Sequence, residues 1–337
     1  MSESVAVWFT GPREVELRSE EIRSPGESQV LIRAQASGIS HGTEMLVYRG
    51  EVDSTLSLDL PTLAGSFGFP IKYGYASVGL IESLGPDVAG FQPGDLVFCL
   101  HPHQSRYLAP IQLVTRLPSG LRPELGVFMA NLTSALTILL DARVRLGEAV
   151  VVFGLGTVGQ LLVQLLGRSG AQPIIGVDPV ERRRSMALQL GAHDALLPGP
   201  GLCQAVRLNT NGRGADVAIE VSGAPSALQP AVDVVADEGT VVVASWYGMK
   251  AVSVRLGERF HRGRLHVRSS QVGRLDPALA PRWDRARRDE LAAGLLQELT
   301  LEPLITHRIA LESAPQAYRM LDEKPEEALQ VIFSYER

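Results

Sequence analysis

The stretch from residue 149 to residue 178 most strongly constrains how this chain folds. Ala149 to Phe153 is an apolar run that predicts a buried parallel strand. A glycine-rich turn follows at once, an apolar helical segment occupies residues 160–166, and a second apolar run ends at Asp178. Strand, glycine turn, helix, strand and acid occur in the order that a dinucleotide-binding βαβ unit requires. This order indicates that the second half of the chain binds a dinucleotide.

Each glycine of the turn has its own predicted role. Gly154 allows a tight turn off the strand, and Gly156 allows the backbone to approach a pyrophosphate. Gly159 allows the helix to pack closely on the sheet, and the N–H groups at the helix start face the phosphates. The candidate cofactor-binding residues of the turn are Gly154, Leu155, Gly156, Thr157, Val158 and Gly159.

Asp178 carries the prediction about which dinucleotide is bound. It lies nineteen positions after Gly159 (178 − 159), close to the spacing of an acid that accepts hydrogen bonds from the adenosine ribose. A carboxylate there repels a 2′-phosphate, so the sequence favours NAD over NADP. Arg183, within the run of arginines at 182–184, is a further candidate contact and would weaken that preference.

Two later apolar runs also predict strands whose ends lie near the cofactor. The strand over residues 215–221 ends at Ser222 and Gly223, and the strand over 239–244 ends at Ser245. Ligands of doubly wound sheets bind at this edge. The candidates near the ribose and nicotinamide are Val221, Ser222, Gly223, Ala244 and Ser245, and Ser270 is added to them.

Composition excludes several other classes of protein. The 337 residues are 45% hydrophobic with a net charge of −5, which suits two globular domains and gives no footprint for nucleic acid. We expect no apolar run long enough to cross a membrane, and the first residues lack the basic and apolar regions of a signal peptide, so a cytoplasmic protein is expected. The two cysteines are too few for a disulfide framework.

The pattern of elements predicts a domain inserted into another. Short strands with frequent glycine and proline over residues 1–121 predict a barrel-like β domain. Helices and strands alternate over 122–273, beginning with a helix from Leu125 to Leu140. Residues 274–337 return to the first pattern and are expected to complete the first domain.

These features together resemble the medium-chain dehydrogenase/reductase superfamily over essentially the whole chain. Further matches are Gly94-Asp95 and the segment 303–307. The segments 37–44, 73–79 and 269–273 are similar to the branch that contains bacteriochlorophyllide dehydrogenase. The resemblance implies a Rossmann domain inserted into a GroES-like catalytic domain.

The chain departs from zinc alcohol dehydrogenases at the metal site. It has Ser40 where they have cysteine, Tyr75 and Ala76 where they have a His-Glu pair, and Ala130 or Asn131 at a further ligand position. Neutral hydroxyls do not replace thiolate and imidazole ligands, so we predict no zinc. His101 and His103, with Cys99 nearby, form a less favoured rival metal group.

The residues in place of the metal are the candidates for proton transfer: Ser40, His41, Lys72 and Tyr75. Either Tyr75, its pKa lowered by Lys72, or His41 acting through Ser40 could be the base. The alternatives are that Tyr75 only fills the volume of the metal site and that His41 contacts the cofactor phosphates.

The leading functional prediction is a zinc-independent, NAD-dependent dehydrogenase/reductase. It would interconvert a secondary alcohol and a ketone on a bulky or cyclic small molecule bound between the domains. The alternatives are an NADPH-dependent quinone or enone reductase and a nucleotide-binding protein without catalysis. Relatives form dimers or tetramers, so a homodimer or homotetramer is expected by analogy.

Overall fold

The computed structural model describes residues 2–58 and 60–335, and the chain forms two compact units. The first unit comprises Met1–Ala130 and Ala293–Arg337, and the second is Asn131–Ala292. The second unit is therefore an insertion in the sequence of the first. Its limits, Asn131 and Ala292, lie after the expected 122 and 273.

The strands and helices are as follows in chain order. The strands are β1 (Ser2–Gly11), β2 (Glu14–Ile22), β3 (Gln29–Ile39), β4 (Ser77–Leu84), β5 (Leu96–Cys99), β6 (Arg106–Pro110), β7 (Val114–Arg116), β8 (Val150–Phe153), β9 (Ile174–Val177), β10 (Asp194–Leu196), β11 (Ala215–Glu220), β12 (Val235–Val243), β13 (His266–Ser269), β14 (Ile305–Ala310) and β15 (Gln330–Ser334). The α-helices are α1 (Thr43–Arg49), α2 (Pro123–Gly126), α3 (Met129–Ala142), α4 (Thr157–Arg168), α5 (Glu181–Gln189), α6 (Leu202–Asn209), α7 (Leu228–Val234), α8 (Arg285–Leu295) and α9 (Ala314–Glu323).

The first unit is built mainly from antiparallel strands. β1 and β2 form a hairpin, and a second sheet has the order β14-β15-β3-β4-β5-β7, with β6 also paired to β3. Its core is rich in aromatic side chains: Tyr318 stacks on Tyr48 with centroids 5.5 Å apart and meets Phe9 edge-on at 5.0 Å. The predicted hairpin and the predicted strands of this region are present in the structure.

The second unit has a parallel six-stranded sheet in the order β10-β9-β8-β11-β12-β13. All four residues of β8 and all four of β9 are buried, which explains their continuous apolar sequence. The chain starts at the middle strand β8, runs outward to β10, and then returns to β11 on the other side of β8. This is the predicted doubly wound sheet of the Rossmann type.

The predicted helix from Leu125 to Leu140 is wrong in one respect, because it is two helices. α2 ends at Gly126, where a Cβ would lie 2.6 Å from Leu117 Cδ1 and 3.0 Å from Val78 Cγ2. The close approach of these side chains requires glycine at a position that a continuous helix would fill with a larger residue.

The stretch Pro123–Ala142 also corrects the expectation that no segment could cross a membrane. By length and composition it qualifies, with a mean hydropathy of 1.6 over its most apolar window. However, 67% of that window is buried in the structure, as in the core helix of a protein without a membrane span.

Candidate active site

The glycine turn of the second unit has the geometry that its sequence predicts. Gly154 adopts a φ of +93°, and a Cβ there would lie 2.5 Å from Ser222 Cα at the end of β11. A Cβ at Gly159 would overlap the carbonyl oxygen of Gly154. Gly156 has no atom within 4 Å of its Cβ position and is partly exposed, as are Thr157 and Val158. The turn is therefore closed on the sheet side and open where a pyrophosphate would approach the start of α4.

Asp178 lies at the end of β9 and faces this turn. Its carboxylate accepts the Leu155 N–H at 2.8 Å and the Val180 N–H at 2.8 Å, and it is almost fully buried. Arg183 Nη1 lies 3.9 Å from Asp178 Oδ2. Arg184 Nη1 donates instead to the carbonyl oxygens of Asp178 and Pro179, at 2.7 and 2.9 Å. Asp178 is therefore fixed in place. Of Arg183 and Arg184, it is Arg183 whose guanidinium lies near the carboxylate.

The other predicted cofactor residues lie along the same edge of the sheet. Ser245 Oγ, after β12, accepts the Gly223 N–H at 2.8 Å, which joins the ends of β11 and β12. The backbone register places β8, β11, β12 and β13 side by side with their carboxyl ends together. The residues gathered at this edge are Gly154, Asp178, Val221, Ser222, Gly223, Ala244, Ser245 and Ser270.

Two residues that the sequence analysis did not single out also lie at this edge. Glu220 is fully buried and accepts hydrogen bonds from Ser222 N at 2.7 Å and Ser222 Oγ at 2.5 Å. Tyr247 OH donates to the same carboxylate at 2.5 Å. Burial and the neighbouring Glu220 raise the pKa of Tyr247 above its ordinary value. The sequence could have pointed to Glu220, because it is an acid at the end of an apolar strand.

Ser270 is held by a buried acid. Its Oγ donates to Asp141 Oδ2 at 2.7 Å, and Arg268 Nη2 donates to Asp141 Oδ1 at 2.8 Å. Burial raises the pKa of Asp141, and the bonds from Ser270 and Arg268 oppose that rise. These contacts fix the chain where β13 ends.

The candidates for proton transfer come from two neighbouring strands of the first unit. Ser40 and His41 follow β3, and Tyr75 lies just before β4, where Gly38 N donates to Ala76 O at 2.8 Å. The Ser40 and Thr43 side chains lie close enough to the Tyr75 hydroxyl to lower its pKa, against the larger effect of burial. The structure therefore brings Ser40 and Tyr75 together. His41 is partly buried between β3 and α1, and both of its suggested roles stay predictions.

The structure corrects the suggested effect of Lys72 on Tyr75. Lys72 Nζ donates to Glu20 Oε2 at 2.8 Å and to Gln104 Oε1 at 3.3 Å, so its charge is directed to the β1–β2 hairpin. The pKa of Tyr75 is raised to about 12, first by burial and then by the negative charge of Glu44. Lys72 lies near Tyr75 in sequence, but its ammonium group is held by Glu20 and Gln104.

Glu44 and His103 form a buried pair that the sequence analysis did not predict. His103 Nε2 lies 2.9 Å from Glu44 Oε2, and both side chains have no exposed surface. Tyr318 OH donates to the same oxygen at 3.0 Å, and Ser40 N donates to Glu44 Oε1 at 3.1 Å. The two partners are separated by 59 positions, so no local pattern reveals the pair.

These residues do not fit the zinc ion that related enzymes bind. The Glu44 carboxylate already accepts three hydrogen bonds, and both ring nitrogens of His103 have partners, Glu44 and Ser37. The neighbouring side chains that could still coordinate a metal are Ser40 and Tyr75, whose hydroxyls are poor zinc ligands. Across residues 2–58 and 60–335, no group of three His, Cys, Asp or Glu side chains is arranged to hold a metal ion.

The rival group of His101, His103 and Cys99 is not assembled either. His101 stacks on Tyr107 with centroids 3.7 Å apart, and its Nδ1 lies 3.0 Å from the Pro102 carbonyl oxygen. Burial lowers the pKa of His101 to about 3 and raises that of Cys99 to about 12. The two histidines thus serve separate parts of the core.

Comparison with known proteins defines the class of this chain. The family described as alcohol dehydrogenase GroES-like domain matches residues 26–126, and the family described as zinc-binding dehydrogenase matches residues 157–286. D-guloside 3-dehydrogenase of Escherichia coli (strain K12) is 30% identical over 341 residues, which cover 96% of this chain and 97% of that protein. The chain therefore belongs to the zinc-type medium-chain dehydrogenase/reductase superfamily, and it is an alcohol dehydrogenase-like oxidoreductase.

Two further relatives bear on the finer predictions. The 2-desacetyl-2-hydroxyethyl bacteriochlorophyllide A dehydrogenase of Cereibacter sphaeroides is 26% identical over 344 residues, covering 96% of each chain. Since this identity is below that of the guloside enzyme, membership of its branch stays a prediction. A putative zinc-binding dehydrogenase from Sinorhizobium meliloti 1021, solved with bound NADP, superimposes with a TM-score of 0.81 at 20% identity, covering 99% of this chain and 100% of that one. The predicted fold is confirmed.

Proposed function

We propose that this protein is a zinc-independent, NAD-preferring dehydrogenase/reductase that interconverts a secondary alcohol and a ketone. The observation that supports the proposal is the proximity of the Ser40 and Tyr75 hydroxyls, at positions where the resemblance to zinc alcohol dehydrogenases implies metal ligands. A hydroxyl pair donates and accepts protons and hydrogen bonds, the function that alcohol oxidation and ketone reduction require at the substrate oxygen.

The cofactor is bound by the carboxyl edge of the sheet in the second unit. When bound, its nicotinamide ring gives or takes the hydride. The open face at Gly156 admits the pyrophosphate, and Asp178 accepts hydrogen bonds from the ribose hydroxyls with the lone pairs that its two backbone partners leave free. The Asp178 charge disfavours a 2′-phosphate, which supports NAD.

Tyr75 is the proposed proton donor to the ketone oxygen. With its pKa raised to about 12, Tyr75 is protonated at neutral pH and can donate a hydrogen bond to a carbonyl oxygen. Donation leaves a tyrosinate, which the Ser40 and Thr43 hydroxyls stabilise, and in the opposite direction this tyrosinate accepts the alcohol proton. His41 acting through Ser40 is the alternative base, as proposed from the sequence.

The proposed substrate is a ring that carries a secondary alcohol. The name of the guloside enzyme places its reaction at carbon 3 of a sugar glycoside, and the bacteriochlorophyllide enzyme acts on a substituted macrocycle. Both names support a bulky or cyclic small molecule for this chain.

NADPH-dependent reduction of a quinone or enone is the second candidate. Arg183, 3.9 Å from Asp178, offers a cation that could pair with a 2′-phosphate, and a solved structure of the same fold holds NADP. The preference for NADH or NADPH distinguishes this candidate function from the first.

The test uses protein treated with EDTA and titrated separately with NADH and NADPH by nicotinamide fluorescence. The same sample is assayed with a panel of cyclic alcohols, cyclic ketones, quinones and enones. We expect tighter NADH binding and turnover of a cyclic alcohol or ketone. Tighter NADPH binding with turnover confined to quinones or enones would replace the first candidate by the second, and cofactor binding without turnover would favour a non-catalytic protein.

We also propose a cytoplasmic homodimer or homotetramer. β13 is the last strand in its sheet order, and Val267 on it is 44% exposed, which suits pairing of this edge with a second copy. Light scattering should give a multiple of the chain mass, and a Val267→Glu variant should dissociate.

A further inference from the structure

Two buried ionisable groups of the first unit have no part in the proposed hydride or proton transfer. Glu44 lies in the first turn of α1, and His103 lies between β5 and β6. Neither side chain has exposed surface. Taking both groups out of water carries a desolvation cost, so their presence here calls for a function in the folded protein.

The sequence around Tyr75 is shaped to admit His103. Gly74 adopts a φ of +140°, and a Cβ there would lie 2.9 Å from His103 Nε2 and Cδ2. Phe333 meets the imidazole edge-on, with centroids 4.9 Å apart. The glycine next to Tyr75 therefore gives the imidazole access to the carboxylate, while the phenyl ring keeps its plane fixed.

The hydrogen bonds of His103 form a consistent chain. Its Nε2 faces Glu44, and its Nδ1 lies 2.7 Å from Ser37 Oγ, which in turn lies 2.7 Å from Tyr335 OH. A neutral imidazole with the proton on Nε2 satisfies all of them: Tyr335 donates to Ser37, Ser37 donates to Nδ1, and Nε2 donates to the carboxylate. In this arrangement the Glu44 carboxylate accepts a hydrogen bond from His103 and is fixed in orientation.

The other oxygen of Glu44 faces the proton-transfer candidates. Glu44 Oε1 accepts the Ser40 backbone N–H at 3.1 Å, and the Ser40 side chain lies close enough to the Tyr75 hydroxyl to lower its pKa. One carboxylate therefore connects the His103 and Tyr318 side chains to the backbone that carries the Ser40 hydroxyl.

We propose that Glu44 and His103 are positioning residues for the Ser40–Tyr75 hydroxyl pair. The carboxylate, oriented by His103 and Tyr318, fixes the Ser40 backbone and keeps a negative charge beside the Tyr75 hydroxyl. The inference rests on the proposed function in that it assigns this pair a role in the same reaction. The inference also predicts which direction of the reaction the site favours. A negative charge beside Tyr75 favours the protonated hydroxyl, which can donate to a ketone.

Several other ionisable groups face the Glu44 carboxylate. They are His103 from the loop before β6, Tyr318 from α9, Tyr75 from the segment before β4 and Tyr335 from the chain after β15. Burial and, after it, the charge of Glu44 raise the pKa of all three tyrosines. Of these three, Tyr75 is the one beside Ser40, so it reports the charge at the proposed site.

The test measures ionisation at position 75 without requiring turnover. 3,5-Difluorotyrosine, which is more acidic than tyrosine, is introduced in place of Tyr75, and its fluorine resonance is followed against pH. The titration is repeated with Glu44→Gln, which keeps the shape of the side chain and removes its charge. Tyr318→Phe is the matched control, since it removes one hydrogen bond to the same carboxylate and leaves the charge.

We expect Glu44→Gln to lower the pH midpoint at position 75 by about one unit, because one nearby negative charge is lost. Tyr318→Phe should leave that midpoint unchanged, although it should lower the thermal stability about as much as Glu44→Gln does. Equal shifts in both variants, or no shift in Glu44→Gln, would overturn the inference.

A kinetic measurement separates this inference from the proposed function. Glu44→Gln should lower kcat for ketone reduction about ten-fold and leave the Kd for NADH unchanged. If the unaltered protein binds NADH and turns over no alcohol or ketone, the proposed function fails, whereas the fluorine titration still decides whether Glu44 controls Tyr75.

Discussion

The carboxylate of Asp178 accepts the backbone N–H of Leu155 at 2.8 Å. This bond joins the end of β9 to the glycine turn after β8, so the acid proposed to bind the ribose is fixed to the loop proposed to admit the pyrophosphate. The predicted cofactor site is consequently one rigid arrangement in the second unit, and its parts can be tested separately.

The charge of Asp178 should set the choice between the two nicotinamide cofactors. Asp178→Asn keeps the shape and removes the repulsion of a 2′-phosphate, so the ratio of NADPH to NADH affinity should rise about ten-fold. Arg183→Gln should move the ratio in the opposite direction, because it removes the cation 3.9 Å from the acid. Fluorescence titration of both variants checks the pair, and equal ratios would contradict the assignment.

Gly156 and Gly159 should respond differently to the same substitution. Gly159→Ala places a Cβ against the Gly154 carbonyl oxygen, so it should destabilise the protein by about 2 kcal/mol or more. Gly156→Ala places its Cβ in open space at a φ of −70°, so the thermal midpoint should hardly change, whereas NADH affinity should fall. Thermal unfolding and NADH titration of the two variants provide controls for each other.

Removal of the Tyr75 hydroxyl should affect chemistry more than binding. Tyr75→Phe should reduce kcat about a hundred-fold, the usual contribution of a positioned acid or base, with little change in the Kd for NADH. Lys72→Met is the comparison, because Lys72 pairs with Glu20 and should change kcat by no more than about two-fold. An unchanged kcat in Tyr75→Phe would remove Tyr75 from the mechanism.

The stability of the second unit should depend on Asp276 in acid. A hydrogen bond from Arg143, followed by the Ala278 backbone N–H, lowers the pKa of Asp276 from 3.8 to about 2. Because the folded pKa is the lower one, this stabilisation is present above pH 3.8 and is lost as the pH falls through about 2.

Asp276→Asn should therefore be less stable than the unaltered protein near neutral pH by about 1 kcal/mol, a value reduced by solvent because Arg143 is 58% exposed. The difference should vanish as the pH approaches 2. Denaturant unfolding at several pH values measures it, with Asp237→Asn, at an exposed carboxylate of the same unit, as the control. A difference that stays constant with pH would show that Asp276 acts through packing alone.

Local patterns in the sequence predict most of the second unit. β8, the glycine turn, α4 and β9 follow from an apolar run, three glycines and an acid, and each has a local physical cause. The short strands β6, β7 and β10 were not predicted, because each is only three to five residues long and is formed by pairing with distant segments. α7 begins at Leu228, after a 3₁₀ turn that Pro225 starts.

The candidate site is less predictable from sequence than the fold. Ser40 and Tyr75 were found because the positions of known metal ligands are recognisable in the family. The Glu44–His103 contact, the Tyr247–Glu220 contact and the direction of the Lys72 side chain depend on long-range packing. Apart from Glu220, which ends an apolar strand, no periodicity or spacing encodes them, and they set the electrostatic environment of Tyr75 and of the carboxyl end of β11.

The central claim is catalysis by side-chain hydroxyls in place of zinc, and it is tested most directly by measuring turnover and zinc content in the same sample. Protein stripped of zinc to trace level should reduce a cyclic ketone with NADH at an unchanged kcat, and Tyr75→Phe should lose that activity. A kcat that falls in proportion to the zinc removed and returns when zinc is added would contradict the account.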